Sequence, residues 1–400
     1  MILLSYGENM KSKFKNMDKF LFLLLIIYTV LGLVMVFSAS SMTAVLQIGK
    51  SESYFFVRQL FFVVIAYIVG FFIIFMSYKF IRPLKKIPNI IAYAAIGLLI
   101  ITLLFGENIN GVTSWLKIFG PIQIQPSEFV KTMTILFIAF SFSNPKKIFK
   151  NYKFLRYFVY AMICFFLIAK QPDLGTAMIL AMTCFCMFLA IPLKDNNFKK
   201  IKVVCSVTAL VGVCLFVFGG DILKNASFLN KEQLSRLTYN NPCTRYSEKT
   251  GYQVCNGYIA INNGGLFGVG LGNSTQKYLY LPEAYTDFIF PVVVEELGAI
   301  VGILIIIGYL IILYRLLRIA KSADTLTGAM ISYGTFALIV SHLLINFLGI
   351  LAIIPLTGVP VPFLSNGGSF AFNLIILLFM CEKVNILTNE RKLKRELDRL

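Results

Sequence analysis

Long apolar runs, separated by short basic segments, constrain the fold of this chain more than any other feature of its sequence. A helix needs about 20 apolar residues to cross the hydrocarbon core of a bilayer, and in that core only helices and closed barrels satisfy their own backbone polar groups. The runs are continuous rather than alternating, which favours helices. We therefore predict an all-α polytopic membrane protein with about ten transmembrane helices. The predicted helices cover residues 20–42, 55–77, 88–105, 126–143, 154–169, 173–193, 201–219, 288–314, 326–351 and 369–387.

The charged residues support this arrangement and predict its orientation. Only 14% of the residues are charged, against about 25% in a typical soluble domain. Most of the 37 Lys and Arg residues lie in alternate connecting segments, as the positive-inside rule requires. Both termini are therefore expected to be cytoplasmic. The net charge of +18 then reflects this topology and contact with anionic membrane lipids, and we expect no nucleic acid as a partner.

The chain is expected to form one membrane domain over residues 1–400. A polar cytoplasmic segment at 1–19 precedes a first helix that is too long for a signal-peptide core. The longest connection, at 220–287, joins helices 7 and 8 and is extracellular in this arrangement. A charged cytoplasmic tail at 388–400 is expected to be either a short helix on the inner membrane surface or a solvated segment.

A very short polar stretch, Lys170–Asp173, separates the fifth and sixth apolar runs. One long kinked helix is the alternative to a turn at this point. A single helix would invert every later connection and place the basic segments outside the membrane, so we predict a turn.

The ionisable residues limit the chemistry that this chain can perform. His342 is the only histidine, which excludes a histidine dyad or a multi-histidine metal site, and we interpret it as a packed polar residue. Acid–base chemistry would then depend on carboxylates. Charged side chains in or beside membrane helices are costly and usually functional or paired. Those side chains are Glu128, Lys131, Asp173, Asp287, Glu295 and Glu296.

Spacing separates Asp287 from the two glutamates that follow it. Asp287 lies where the eighth helix should begin, whereas Glu295 lies roughly 12 Å further along a helix. The two carboxylates therefore cannot share a proton or flank one bond. Glu295 and Glu296 are expected to be buried partners of cations from other helices. For Asp287, a helix N-cap and a functional carboxylate are both open.

Two glycine-rich stretches could hold an anion through their backbone N–H groups. Gly264–Ser274 is followed by Lys277, and a flexible or tightly packed loop is the alternative there. Pro362–Ser369 begins the tenth helix, whose dipole favours an anion. Trp115 is either an interfacial anchor or a platform for a sugar ring. If these elements converge on one carboxylate, they would suit the pyrophosphate of a lipid-linked sugar.

Cys243 and Cys255 both lie in the long outer connection, where disulfides can persist. We predict that they form a disulfide, which would stabilise this loop by roughly 2–3 kcal/mol. Two free thiols are the alternative. The other cysteines lie in apolar runs and are expected to behave as small hydrophobic residues.

Several motifs in a fixed order resemble the SEDS family (shape, elongation, division and sporulation). The resemblance extends over nearly the whole chain, and the combination is specific although each motif alone is weak. The motifs are Met35–Ser40 (MVFSAS), Gln125–Lys131 (QPSEFVK), Gln171–Ala177 (QPDLGTA), Gly264–Lys277, Leu281–Phe290 (LPEAYTDFIF), Glu295–Gly298 (EELG) and Pro362–Ser369 (PFLSNGGS).

This resemblance implies a ten-helix peptidoglycan glycosyltransferase. Such an enzyme would polymerise lipid II into β-1,4-linked glycan strands at the outer face of the cytoplasmic membrane and release undecaprenyl pyrophosphate. A class B penicillin-binding protein would cross-link the strands, and other division proteins and membrane lipids are further expected partners. The FFVRQ motif at Phe55–Gln59 looks more like the division branch, which implies action at the septum. A lipid II flippase and a non-catalytic activator of the penicillin-binding protein are the alternatives.

The resemblance makes Asp287 the expected catalytic residue, a general base, and makes capping a secondary role. Cations, or a divalent ion such as Mg²⁺ or Mn²⁺, would absorb the charge of the leaving pyrophosphate. Thr113 and Ser114 stand where the family often has two arginines, and Asn366 stands where a tyrosine is usual; Lys117 could replace a missing cation. The expected substrate-binding residues are Trp115, Lys117, Glu128, Lys131, Asp173, Lys277, Glu283, Ser365, Gly367, Gly368 and Ser369.

Overall fold

Helices make up most of the described part of the chain. The computed structural model describes residues 13–76, 88–109, 112–119, 122–142, 155–192, 199–208 and 241–399. The helices are α1 (Lys19–Leu46), α2 (Tyr54–Phe75), α3 (Pro88–Phe105), α4 (Pro126–Ser141), α5 (Leu155–Ala169), α6 (Leu174–Ala190), α7 (Lys249–Gly264), α8 (Ile289–Ser322), α9 (Leu326–Ile350) and α10 (Gly368–Leu397). Residues 199–208 are helical as well. Three strands lie between α3 and α4: β1 (Glu107–Ile109), β2 (Val112–Phe119) and β3 (Ile122–Ile124).

Six helices of the described part are long and apolar enough to cross a membrane, namely α1, α2, α3, α8, α9 and α10. The apolar helices α5 and α6 are shorter. A multi-pass helical membrane protein is thereby confirmed. Most of the predicted seventh helix, 201–219, lies outside the described residues, as do 1–12 and the first part of the long connection, 220–240.

The predicted turn between the fifth and sixth apolar runs is confirmed. Helix α5 ends at Ala169, and α6 begins at Leu174 and packs against α5. Asp173 is the N-cap of α6, where its side chain accepts a hydrogen bond from the backbone N–H of Thr176 at 3.0 Å. A carboxylate at this position satisfies an N–H group that has no partner within the helix, so the chain begins a new helix here.

The all-α fold class is wrong for the segment between α3 and α4. This segment forms a three-stranded antiparallel sheet in the order β1-β2-β3. The sequence of β2, VTSWLKIF, is too short to span a membrane as a helix and is rich in β-branched and aromatic residues. The turn-forming pairs Asn110-Gly111 and Gly120-Pro121 stand at its two ends. Local turn chemistry therefore outweighs the helical character of the flanking segments.

Helix α8 is broken at Gly298, where the backbone has φ +88° and leaves the helical region. The glycine-rich segment after α7 replaces the helical hydrogen bonds that the break removes. Val269 N–H donates to the Glu295 carbonyl at 2.9 Å, and Ala299 N–H donates to the Gly265 carbonyl at 2.9 Å. A Cβ on Gly298 would lie 2.3 Å from the carbonyl oxygen of Leu266, so this contact requires glycine.

The charged C-terminal residues do not form a separate surface helix or a loose tail, as the two sequence-based interpretations of 388–400 required. Helix α10 continues without interruption to Leu397. Arg391 and Arg395 lie one turn apart and both pair with Asp324, at 2.7 and 2.6 Å. Hydrogen bonds from Arg391 and Arg395 lower the pKa of the Asp324 carboxyl. These contacts fix the end of α10 against the α8–α9 connection.

Helix α10 lies at the centre of the bundle and packs against α2, α4, α8 and α9. Its closest neighbour is α2, where a Cβ on Gly70 would lie 2.4 Å from the ring of Phe379. Small residues allow such close approach of membrane helices. The segment leading into α10 is held from α8, because the hydroxyl of Tyr309 donates to the carbonyl of Pro362. Helix α10 is therefore packed closely on α2 along its length, and the segment before it is tied to α8.

Candidate active site

Asp287 lies in the short connection that leads into α8 and is partly exposed. Helix α8 begins at Ile289 with Phe288 at the N-cap position, so Asp287 is not the N-cap residue. The segment is held by α9, because the side-chain amide of Asn346 donates to the carbonyls of Asp287 and Val359 at 2.8 and 2.7 Å. A Cβ on Gly358, which has φ +70°, would lie 3.1 Å from Asp287 Oδ2. The carboxylate therefore lies directly over the backbone of Gly358.

The PFLSNGGS segment is hydrogen-bonded to the segment that carries Asp287. The hydroxyl of Ser365 donates to the carbonyl of Thr286 at 2.6 Å, and the N–H of Asn366 donates to the carbonyl of Tyr285 at 2.9 Å. From α2, Gln59 accepts from the N–H of Gly367 at 3.1 Å. Ser365 is buried. Two of the predicted motifs thus meet, and the PFLSNGGS segment is bonded to the two residues that directly precede Asp287.

Glu283 shapes the turn before Asp287. It has φ +54°, and its carbonyl accepts hydrogen bonds from the N–H groups of Thr286 and Phe288 at 3.1 and 3.2 Å. Its carboxylate accepts from the hydroxyl of Thr286 at 2.8 Å. The structure therefore places this predicted substrate-binding residue next to Asp287, with a clear role in fixing the local backbone.

Tyr285 lies between the carboxylates and a cation on α2. Its ring packs against Phe55, with 4.6 Å between the centroids. Burial raises the pKa of the Tyr285 hydroxyl, the negative charges of Glu283 and Asp287 raise it further, and Arg58 opposes them. Arg58 also donates to the backbone carbonyl of Gln123 in β3 at 3.1 Å. The region around Tyr285 thus combines two carboxylates with one guanidinium.

The sheet contributes two predicted residues, Trp115 and Lys117, on strand β2. Trp115 lies opposite Glu107 and is partly exposed, while Lys117 lies opposite Gln123 and is exposed. Gln123 also donates from its side chain to Glu107 at 2.8 Å. Because Arg58 is bonded to this same Gln123, the sheet is connected to the Arg58 side of the site.

Asp173 and Ser369 are joined through Gln125. Gln125 donates from its side chain to Asp173 Oδ2 at 3.0 Å and from its backbone to Ser369 Oγ at 3.1 Å. The preceding residue, Gly368, lies so close to α2 that a Cβ would be 2.2 Å from the ring of Phe62. Hydrogen bonds through Gln125 therefore connect the QPSEFVK, QPDLGTA and PFLSNGGS motifs.

Glu128 and Lys131 form a buried ion pair at 2.8 Å, with side-chain exposures of 3% and 1%. Lys131 Nζ also lies 3.0 Å from His342 Nε2. An ammonium group can only donate, so Nε2 accepts, and Nδ1–H is left to donate to the carbonyl of Pro360 at 3.2 Å. The pair thus supports, through His342, the loop that passes under Asp287. Neither charged group is placed for direct contact with a substrate.

Lys277 forms a second buried ion pair, with Glu296 at 3.0 Å. Ser38 of α1 donates to both oxygens of Glu296, at 2.7 and 2.8 Å, and Lys277 also donates to the carbonyl of Gly272 at 2.6 Å. Glu296 is therefore a buried partner of a lysine, as predicted, although this lysine comes from a loop and not from another helix. Direct contact of Lys277 with a substrate does not fit its 3% exposure.

The glycine-rich segment after α7 does not present its amides as an anion cradle. Val269 and Gly270 donate to the carbonyls of Glu295 and Glu296. The carboxylate of Glu295 is itself bound by the loop, since it accepts from the hydroxyls of Ser274 and Thr275. These amides are therefore occupied by carbonyls of the protein and are not open to a phosphate, so the backbone of this stretch is packed while its apolar side chains are exposed.

Cys243 and Cys255 form a disulfide in the structure, with a Cα–Cα distance of 4.9 Å. The bond ties the short 3-10 turn Pro242–Arg245 to α7. Gly251 fits under this turn, because a Cβ there would lie 2.1 Å from the carbonyl oxygen of Arg245. The disulfide thus braces the start of α7.

The site residues that the sequence predicts least well are polar residues inside apolar helices. Arg58, Gln59 and Asn346 each bond a backbone group of the site, yet the sequence marks Arg58 and Gln59 only as part of a branch motif. Their signal is polarity within a predicted membrane helix, which is costly without a partner.

In the described part of the chain, no group of three His, Cys, Asp or Glu side chains lies close enough together to hold a metal ion.

Comparisons with known proteins agree with this architecture. The family model described as cell cycle protein, FtsW/RodA/SpoVE, matches residues 18–390. The chain is 34% identical to the probable peptidoglycan glycosyltransferase FtsW of Bacillus subtilis, over 92% of this chain and 90% of the relative. It is also 34% identical to stage V sporulation protein E of the same organism, over 96% and 100%.

Solved structures show the same fold. A structure titled as the structural coordination of polymerization and crosslinking by a peptidoglycan synthase complex superposes with a TM-score of 0.68 at 21% identity, covering 92% of this chain and 97% of the other. The rod shape determining protein RodA of Thermus thermophilus superposes with a TM-score of 0.63 at 23% identity, covering 92% and 96%. With the family model extending over nearly its whole length, this chain belongs to the FtsW/RodA/SpoVE family of cell cycle proteins.

Proposed function

We propose that this protein is a peptidoglycan glycosyltransferase. It polymerises lipid II into β-1,4-linked glycan strands at the outer face of the cytoplasmic membrane and releases undecaprenyl pyrophosphate. The names of its FtsW relatives support this activity. The observation that carries the proposal is the position of Asp287, a partly exposed carboxylate whose backbone is fixed by Asn346 and whose neighbouring residues are bonded to the PFLSNGGS segment.

Asp287 is the general base in this proposal. The C4 hydroxyl of one sugar attacks C1 of another, and a sugar hydroxyl is a poor nucleophile until a base accepts its proton. The fixed backbone on both sides holds the carboxylate in one place, which favours a positioned proton transfer. Pyrophosphate is already a good leaving group, so no second carboxylate is needed as an acid. A single displacement then inverts the configuration at C1 and gives the β-linkage.

Positive groups near the site stabilise the leaving pyrophosphate. Arg58 is the one basic residue of α2 and its charge acts on Tyr285, while Lys117 is exposed on the neighbouring sheet. The positive end of the α10 dipole, at Gly367 and Gly368, adds to them. A divalent ion would supply the same charge neutralisation, but the described residues do not form a three-ligand site for one.

The buried charges have a positioning role in this proposal. Glu128, Lys131 and Lys277 are satisfied by protein partners, so they support the loops that carry the reacting groups. Asp173 and Ser369 do the same through Gln125. This arrangement favours an enzyme over a flippase, because these buried and paired charges are not available to a polar head group that crosses the membrane. A non-catalytic activator would not need Asp287.

A class B penicillin-binding protein is the proposed partner. The solved structure with a TM-score of 0.68 is titled as a complex that coordinates polymerization with crosslinking, and product strands must be cross-linked to form a wall. Both termini are cytoplasmic in this proposal, the connection at 220–287 is extracellular, and the enzyme acts at the division septum with other division proteins.

The test is a polymerisation assay with the purified full chain in lipid. Fluorescently labelled lipid II is added with and without the cognate penicillin-binding protein, and products are separated by size. Glycan polymer in the complete reaction supports the proposal. A complex that binds lipid II but makes no polymer, while lipid II crosses sealed vesicles, would instead establish the flippase.

A further inference from the structure

Four apolar residues of the glycine-rich segment after α7 have exposed side chains. They are Leu266, Phe267, Val269 and Leu271, here called the apolar tip, and Phe267 is 82% exposed. No charged residue occurs from Gly264 to Ser274. Exposed apolar groups gathered at one place indicate a surface that is covered by a partner or by lipid.

Backbone N–H groups of the apolar tip are hydrogen-bonded within the protein and so do not depend on water as a partner. Gly268 donates to the Gly264 carbonyl at 2.7 Å, and Gly270 donates to the Glu296 carbonyl at 3.0 Å. Irregular backbone is tolerated at membrane depth only when its polar groups find partners in the protein. Hydrogen bonds with the broken part of α8 provide such partners here.

The apolar tip is continuous with the lipid-facing side of α8. The N–H of Ile300 donates to the carbonyl of Leu266 at 3.3 Å, so the tip lies directly beside the first turn after the break. Below it, exposed apolar residues continue along this candidate membrane helix at Ile300, Ile303, Leu304 and Ile307. Exposed apolar residues on a helix of this length and composition are expected to face lipid, so the same bilayer is the expected occupant of the adjoining surface.

We propose that the apolar tip is inserted into the outer leaflet of the membrane and anchors the long connection there. The segment thus binds lipid acyl chains and not an aqueous phosphate. The glycines let the chain turn sharply and approach α8, and Phe267 is the most exposed anchoring side chain. The anchor holds α7 and the disulfide-braced turn at the membrane surface beside the site. This inference does not depend on the glycosyltransferase activity.

The experiment uses tryptophan fluorescence in the full chain. Trp115 is the only tryptophan, so Trp115→Phe gives a silent background into which Phe267→Trp is introduced. Two matched variants calibrate the environment: Leu304→Trp on the exposed side of α8, and Tyr246→Trp beside the disulfide, where the side chain is 45% exposed. Each protein is placed in nanodiscs of ordinary lipid or of lipid brominated on its acyl chains.

Brominated lipid should quench Phe267→Trp about as strongly as Leu304→Trp, and aqueous iodide should quench it several-fold less than Tyr246→Trp. Leu271→Trp is a second position on the tip and should behave in the same way, which protects the test against misfolding of one variant. Strong iodide quenching without bromolipid quenching at both tip positions would overturn the proposal. These outcomes are read from fluorescence alone, so failure of the polymerisation assay would leave them unaffected.

Discussion

Lys131 and His342 are hydrogen-bonded inside the bundle, with Nζ 3.0 Å from Nε2. This contact orients the imidazole so that its other nitrogen supports Pro360, two residues from Gly358, which lies beneath the Asp287 carboxylate. The only histidine of the chain is thereby a positioning residue for the loop that passes under Asp287.

Replacing His342 tests this role. Glutamine can accept from Lys131 and donate to Pro360, so His342→Gln should keep most activity. His342→Leu removes both bonds and leaves Lys131 short of a buried acceptor, which costs roughly 1–3 kcal/mol. We expect turnover of lipid II to fall about tenfold with leucine while its KM changes little, since the loop contacts Asp287 and not the substrate. Equal activity of the two variants would contradict the positioning role.

Removing the proposed base should stop polymerisation. Asp287→Asn keeps the size of the side chain but cannot take a proton, and general-base catalysis contributes about 10²–10⁴-fold. The polymer yield should fall by at least about 100-fold with an unchanged melting temperature. Asp324→Asn is the matched control, because that carboxylate pairs with Arg391 and Arg395 at the end of α10 and takes no part in the site. Near-normal polymerisation by Asp287→Asn would make Glu283 the next candidate.

The pair formed by Lys277 and Glu296 should show strong coupling in unfolding experiments. Each single change, Lys277→Met or Glu296→Gln, leaves one buried charge without its partner and should destabilise the protein by about 3–5 kcal/mol. The double variant Lys277→Met with Glu296→Gln should lose clearly less than the sum of the single effects. Thermal unfolding in detergent measures all three, and simple additivity would refute the coupling.

The disulfide should matter for the outer connection rather than for the bundle. Cys243→Ser with Cys255→Ser removes a cross-link worth roughly 2–3 kcal/mol, so a protease added outside should cut near Pro242–Arg245 faster. Cleavage is followed by mass spectrometry, with the native chain as the reference. Complete alkylation of both thiols in native protein without reductant would show that the bond is absent.

Orientation in the membrane has its own test. A reporter fused after Lys321 should be cytoplasmic, because the end of α8 is rich in arginine and lysine and the positive-inside rule places such segments there. A reporter fused near Lys249 should be external. Alkaline phosphatase and a fluorescent protein report the two sides, and the reverse pattern would overturn the proposed topology.

The sequence predicts the helices well because a membrane helix must satisfy its own backbone within a long apolar run. It predicts the pairing of Cys243 with Cys255 and the turn at Lys170–Asp173 for similar local reasons. The sheet at β2 is not predicted, since eight residues between two membrane helices carry too little pattern. The phosphate interpretation of Gly264–Ser274 fails because a glycine-rich stretch looks the same whether its amides face a ligand or the carbonyls of another helix.

The site is predicted only in part, and the reason is long-range geometry. Asp287 and Ser365 belong to recognisable motifs, but their connection through Thr286 depends on how α8 and α10 pack. Arg58 and Asn346 are single polar residues in apolar helices, and nothing local tells which loop they will hold. The burial of Lys277 and Lys131 is likewise a property of the assembled bundle.

The break at Gly298 also explains how α8 can be longer than the hydrocarbon core of the membrane is thick. Helix α8 has 34 residues, about 51 Å if it were straight, against about 30 Å of hydrocarbon. The part after the break is about 36 Å long and suffices to span the membrane with some tilt, so the short part before it is free to support the connection that carries Asp287. Inserting one residue between Gly298 and Ile305, where Tyr28 of α1 contacts α8, would rotate Glu296 by about 100° relative to Ser38. This part of α8 therefore cannot change its length by a single residue without displacing the short part that leads back to Asp287.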